Sequence, residues 1–167
     1  MNLELFREKL GYKVKRIKKW LLAEKIEVST DKDFRYLIYK PRPASEDARK
    51  EEIHQKECMS WLREKYPEFT GMAFHVANEV GTKATVGLIE KREAMGVLNG
   101  VSDIIVLRAG KNHSVGIFEL KRANGGTLSR AQKGFLYNMS HCGHFVAVCY
   151  GSAAFKQAFK DYVEGTY

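Results

Sequence analysis

No stretch of this chain approaches the roughly 18 apolar residues that a membrane-spanning helix requires. Its first residues, MNLELFREKLGYKV, carry acids and lack an apolar core, so no secretory leader is expected either. Cysteine is scarce: Cys58, Cys142 and Cys149 are odd in number and far apart, which excludes a disulfide framework and suits reduced thiols in a cytoplasmic setting. Proline is equally scarce, at 3 residues, and the chain has no repeat and no low-complexity tract. With 44% hydrophobic and 29% charged residues, the composition is globular, and disorder, collagen and coiled coil are ruled out for most of the chain. A chain of 167 residues buries roughly 70% of its unfolded surface and needs no metal or disulfide staple to fold.

Several catalytic signatures are missing too. The loop NGGTLS lacks the lysine of a phosphate-cradling GxxxxGK[ST] motif. His141-Cys142-Gly143-His144 with Cys149 matches no common zinc spacing, and no local pattern points to a Ser/His or Cys/His nucleophile.

What is present in excess is positive charge. Against 20 acidic residues stand 28 Lys and Arg, a formal net charge of +8 that suggests a polyanionic partner. Residues 1–43 hold twelve basic and six acidic residues and so supply +6 of it. Within them, Leu3, Phe6, Leu10, Val14, Ile17 and Leu21 recur at helical spacing and predict a helix over 3–28. Its opposite face carries Lys13, Lys15, Arg16, Lys18 and Lys19. A short strand at FRYLIY (34–39) follows, and Pro41-Arg-Pro43 marks a boundary between a basic arm (1–43) and a second domain (44–167).

The second domain reads as α/β. A helix is expected from Ser45 to Tyr66, a strand from Met72 to near Asn78, and a short helix around Ile89–Met95. Strands at VSDIIVL (101–107) and VGIFELK (115–121) pair as an antiparallel hairpin. A helix from Arg130 to about His141, a buried strand at 144–150 and a final helix at 152–163 complete it.

Two positions break the apolar pattern of that hairpin. Asp103 heads an otherwise apolar strand, where a carboxylate must be exposed, paired or bound to a cation. In VGIFELK, alternation puts Glu119 and Lys121 on one face. Pairing of the strands brings Asp103 close to Glu119, and two carboxylates beside one lysine repel unless a divalent cation lies between them. Mg²⁺ takes hard oxygen ligands of this kind together with waters and phosphate oxygens.

The pattern D…E-x-K across adjacent strands, with the runs MGVLNGVSDIIVL, GIFELKRANGGTLSRAQKGFL and GHFVAVCYG, resembles the VRR-NUC branch of the PD-(D/E)xK nucleases over residues 50–163. No resemblance covers residues 1–40. It implies a restriction-endonuclease-like core, a mixed central sheet flanked by helices, and a Mg²⁺- or Mn²⁺-dependent endonuclease acting on DNA. Gly100-Val101-Ser102-Asp103 matches the family's G-[VI]-x-D, with Ser102 where many members have proline. Asp103 and Glu119 would be metal ligands, joined by the main-chain carbonyl of Leu120, and Lys121 would act on the attacking water. The family also carries a helical Glu with a Gln one turn later. Glu51 and Gln55 fit, sharing a face with Cys58 and Leu62, while Glu52, about 100° round the helix, competes.

Gln132 matches the Gln of the family's L-S-x-x-Q and equally completes a capping box with Ser129, so capping and a contact to the scissile phosphate or its water stay open. Asn78 matches the family as well and would touch the DNA backbone or fix a turn. With Arg122, Arg130 and the five arm cations it completes the expected nucleic-acid-binding set. Compact members of the family resemble Holliday-junction resolvases, so the implied substrate is branched or four-way DNA and the implied assembly a homodimer, whose two-fold axis relates two active sites. A flap or nicking nuclease, and a DNA-binding module without catalysis, are the alternatives.

Overall fold

The computed structural model describes residues 25–77 and 85–167. Lys13, Lys15, Arg16, Lys18, Lys19 and Asn78 therefore lie outside the described residues.

Ile26 and Val28 stand two apart, and that period makes Lys25–Thr30 a strand, β1, with both side chains turned toward the core. The helix expected over 3–28 does not reach its final four residues, because β-branched residues in alternation favour the pleated state. A tight turn follows, in which Asp31 Oδ1 accepts from the amides of Asp33 and Phe34. This turn delays the next strand to β2, Leu37–Arg42, three residues later than expected.

β2 pairs antiparallel with β1 on one side and parallel with the penultimate element on the other. The boundary expected at Pro43 thus falls beside a strand of the main sheet. Residues 25–42 belong to that sheet, and Tyr39 anchors them by donating its hydroxyl to Asp161 Oδ2 at 2.9 Å.

Helix α1 runs over Glu51–Lys65, starting later than the expected Ser45. Ser45 Oγ accepts from the Asp47 amide, and Asp47 in turn binds both the amide and the guanidinium of Arg49. These local bonds compete with helix formation and hold residues 45–49 in a non-helical turn. A single 3₁₀ turn, Pro67–Phe69, leads to β3, Ala73–His75, which ends before the expected Asn78. Helix α2, Val86–Ala94, buries none of its side chains.

β4 (Ile104–Val106) and β5 (Gly116–Lys121) form the anticipated antiparallel pair. Helix α3 spans Arg130–His141, β6 spans Phe145–Tyr150 and α4 spans Ser152–Glu164, within a residue or so of expectation. The sheet order is β1-β2-β6-β5-β4-β3, mixed parallel and antiparallel.

Alternation along β5 and β6 divides the core into two layers. Phe118, Leu120, Phe145, Ala147 and Cys149 face α1 and α4, where Phe155, Phe159 and Tyr162 pack ring against ring at centroid distances of 5.2–6.2 Å. Ile117, Val146 and Val148 face α3 through Leu136 and the β1–β2 hairpin through Tyr36. Every residue of β5 is buried, so a polar side chain on it must find its partners inside the protein.

Candidate active site

β4 and β5 carry the two unusual acids to one place. Ile104 lies opposite Phe118, so the same register continued by one residue sets Asp103 opposite Glu119. Asp103 turns its carboxylate across the strand gap, where Oδ2 accepts from the Leu120 amide at 2.7 Å. On the other edge of β5 the carbonyl of Lys121 accepts from Gly151. Strand alternation therefore directs the carbonyl of Leu120 to the edge that its amide and Asp103 share.

Glu119 is wholly buried. Its Oε1 accepts from Lys121 Nζ at 2.6 Å and from Gln132 Nε2, while its Oε2 is buried and meets no hydrogen-bond partner among the described residues. Burial pushes the Glu119 carboxyl up to about 7, with the Asp103 charge adding to the effect and Lys121 opposing it. Asp103 is raised as well, again by burial, against the pull of the Leu120 amide and the Lys121 charge. Burial disfavours the charge on Lys121, yet Glu119, Glu51 and Asp103 outweigh it and hold the ammonium protonated beyond its ordinary range.

Gln132 makes the expected cap and also donates to Glu119, a contact the sequence did not indicate. Its Oε1 accepts from the Ser129 amide, Ser129 Oγ accepts from the Gln132 amide, and the remaining NH₂ donates to Glu119. A cap of this kind stabilises a helix by roughly 1 kcal/mol. Here it also fixes the orientation of a donor to the site. The first turn of α3 is held against the loop before β4 at Gly100. With φ +81°, that residue lies so close that a Cβ would stand 2.5 Å from the Ala131 carbonyl carbon. Gly126 lies against the stem of Lys121, where a Cβ would come to 3.1 Å of Cδ.

Of the two candidates on α1, Glu52 is exposed and paired with Lys56 at 2.5 Å. Glu51 is half-buried, and its charge reaches both Glu119 and Lys121. The start of α1 is held by Arg49, which bridges Asp47 and Glu57, and by Ser152, which donates its hydroxyl to Glu57 at 2.8 Å. Arg122 and Arg130 are exposed at the end of β5 and the start of α3, on the rim of this cluster.

One neighbour escaped the sequence reading. His75, at the end of β3, donates from Nδ1 to the Asp103 carbonyl at 2.9 Å, and the Val76 amide donates to the same oxygen. Only the observation that β3 pairs with β4 reveals it, since 28 residues separate the two positions.

Among the described residues, no three His, Cys, Asp or Glu side chains converge as a ready-made metal cage. The available donors are two carboxylates and a main-chain carbonyl, all oxygen. That set suits Mg²⁺ or Mn²⁺, since Mg²⁺ keeps several waters and needs few protein ligands. The partnerless Glu119 Oε2 is the atom such an ion would satisfy.

The architecture is a restriction-endonuclease-like α/β fold, a mixed six-stranded sheet with helices on both faces. More narrowly, it is a VRR-NUC fold. A solved structure described as a VRR_NUC domain protein matches with a TM-score of 0.57 at 20% identity, covering 68% of this chain and 88% of that one. No protein-family model matches the chain, and no curated protein does. No helix among the described residues is long and apolar enough to cross a membrane.

Proposed function

We propose that this protein is a divalent-metal-dependent DNA endonuclease, acting on branched DNA as a homodimer. The observation that carries the reading is a buried carboxylate, Glu119, beside a half-buried one, Asp103, at adjacent strand ends, with one oxygen of Glu119 left without a partner among the described residues and a buried lysine beside it. Two acids are placed together at a cost in desolvation that Lys121 offsets in part and that a divalent cation between them would offset further.

Asp103, Glu119 and the Leu120 carbonyl would hold the ion. When bound, the metal supplies Lewis-acid polarisation of the phosphoryl oxygen and stabilises the leaving 3′ oxygen. Lys121, held by Glu119 Oε1 at 2.6 Å, orients the attacking water and steadies developing negative charge through its ammonium. Gln132 keeps Glu119 Oε1 turned to Lys121, so that Oε2 would be the oxygen left to hold the ion. Glu51 adds negative charge near Lys121 and, after Glu119, helps keep it protonated. Arg122 and Arg130 offer phosphate contacts at the rim. The protein as a whole is basic, in keeping with a polyanionic substrate.

Self-association is supported by α2. Its Val86, Leu88 and Ile89 are exposed, as are Met95 and Leu98 just beyond it. Residues 85–99 carry Glu90 and Glu93 against Lys91 and Arg92, a net charge of zero in a chain of +8. A neutral apolar face with both signs of charge suits a second copy of itself better than a phosphate backbone.

The test is a substrate panel with Mg²⁺ or Mn²⁺: a four-way junction, a flap, a nicked duplex and a linear duplex. Preferential paired cutting of the junction supports the full reading. Cutting of flap or nick without junction preference removes the junction assignment. Absence of any cutting with either metal removes the nuclease, and a DNA-binding module takes its place.

A further inference from the structure

From Leu120 to Lys160, immediately after the buried Glu119, the chain contains no Asp or Glu and six Lys or Arg. This acid-free stretch builds the end of β5, α3, β6 and most of α4. α3 packs on the face of the sheet opposite α1 and α4, and its solvent face carries Arg130, Lys133, Tyr137 and His141 at spacings of three and four residues, all exposed. Neither Arg130 nor Lys133 forms an ion pair among the described residues.

The far half of that face is aromatic. Tyr137 stacks near His141 at 4.1 Å between centroids and meets Phe34 of the β1–β2 turn edge-on at 5.8 Å. Cations followed by exposed rings are the pairing that tracks a phosphate backbone and then receives a base or sugar face. The β1–β2 turn that meets Tyr137 through Phe34 carries Asp31 and Asp33, and Asp31 Oδ1 is engaged by two backbone amides.

We infer that the solvent face of α3 is a one-sided nucleic-acid track leading away from the cleavage point, ending on the adjacent rings of Tyr137 and His141. The inference rests on reading the β4–β5 site as the point of cleavage, because Gln132 ties the start of α3 to Glu119. Its length follows from geometry. Twelve helical residues at about 1.5 Å each span about 18 Å, which corresponds to about five nucleotides at about 3.4 Å per step. The chain thus engages about five nucleotides on one side of the scissile phosphate, without reading their sequence.

The experiment uses the full chain and fluorescein-labelled DNA. Binding is measured by anisotropy in EDTA across 50–200 mM salt for Lys133→Glu, Lys133→Ala and Tyr137→Ala, each with its melting temperature. Cleavage is measured on substrates trimmed stepwise on either side of the cut. Lys133→Glu should weaken binding at least ten-fold with an unchanged melting temperature. Lys133→Ala should reduce the slope of log affinity against log salt by about 0.9, the loss of one phosphate contact. Trimming should reduce cleavage on one side only, once fewer than about five nucleotides remain. If all three variants bind within two-fold of the parent with the same salt slope, or if trimming acts equally on both sides, the track is overturned while the nuclease stands. If no substrate is cut with Mg²⁺ or Mn²⁺ yet Lys133→Glu still loses affinity, the nuclease reading fails and the track survives as a binding face.

Discussion

Helices α2 and α3 both lie on the surface, and they turn opposite chemistry to the solvent. α3 buries Leu136, is capped by Ser129 and Gln132, reaches into the site through one amide and shows cations and rings outward. α2 buries nothing, has no side-chain cap and shows Val86, Leu88 and Ile89 outward. A helix in water draws its stability from a packed face. α3 has that face within the chain, whereas the apolar side of α2 has none among the described residues. On the readings proposed above, the contrast separates two kinds of partner: a polyanion on α3, another protein surface on α2.

The largest effect that would sharpen the contrast belongs to the site at the head of α3. Lys121→Ala, Asp103→Asn and Glu119→Gln should each lower cleavage by about 10²–10⁴-fold, measured on the preferred substrate, with circular dichroism unchanged. DNA affinity should stay within a few-fold, since Lys121 is one of 28 basic residues. A near-parental cutting rate in any of them would move the metal site elsewhere.

Gly100→Ala tests how α3 is placed. A Cβ there meets the backbone of Ala131 and Gln132, and φ +81° adds strain. A loss of roughly 2–3 kcal/mol in chemical denaturation is expected, with a fall in activity as Gln132 is displaced.

The pH dependence of the metal-free protein comes next. Glu119 keeps its proton up to about 7 in the fold but titrates near 4.5 when unfolded. Between those values the native state binds more protons, so stability falls as pH rises through that window and this contribution levels off above about 7. The expected loss is on the order of 1–3 kcal/mol, read from denaturation at pH 4.5 and 8. Mg²⁺ favours the ionised pair, so it should raise the melting temperature more at pH 8 than at pH 5. Equal gains at both would separate the ion from Glu119.

Leu88→Glu addresses α2. The side chain is exposed, so unfolding of the protomer should change by less than about 0.5 kcal/mol, while light scattering shifts from dimer to monomer. An unchanged mass would clear α2 of that role. The smallest effect belongs to Ser102, whose buried hydroxyl has no partner. Ser102→Ala should be neutral or stabilising by up to about 1 kcal/mol, because an unsatisfied polar atom is removed at little cost in packing.

Much of this molecule was legible from local pattern. The β4–β5 hairpin, the limits of α3 and the meeting of Asp103 with Glu119 follow from alternation and capping, which act over a few residues. The capping role of Gln132 was legible from Ser129-Arg-Ala-Gln132, whereas its bond to Glu119 depends on how α3 docks beside β5. The start of α1 was misread because Asp47 satisfies backbone and guanidinium donors that a helix would otherwise have used. β1 was hidden by its position at the end of a basic helical pattern whose apolar spacing stops at Leu21, although Ile26 and Val28 alternate as in a strand. His75 and the union of β2 with β6 left no local trace, since each depends on pairing between distant segments.

That parallel pairing of β2 with β6 also has a history in time. Leu37 lies beside Ala147, which leaves the ribosome 110 residues later. At synthesis rates of roughly 5–20 residues per second, the β1–β2 hairpin waits on the order of 5–20 s for its partner strand. During that interval Tyr39 and its neighbours have no core to enter, and both edges of the ribbon are open to mispairing. The charges along it, Lys25, Glu27, Lys40 and Arg42, stand where they discourage a wrong strand from joining. The nascent protein therefore carries its own guard until β6 emerges.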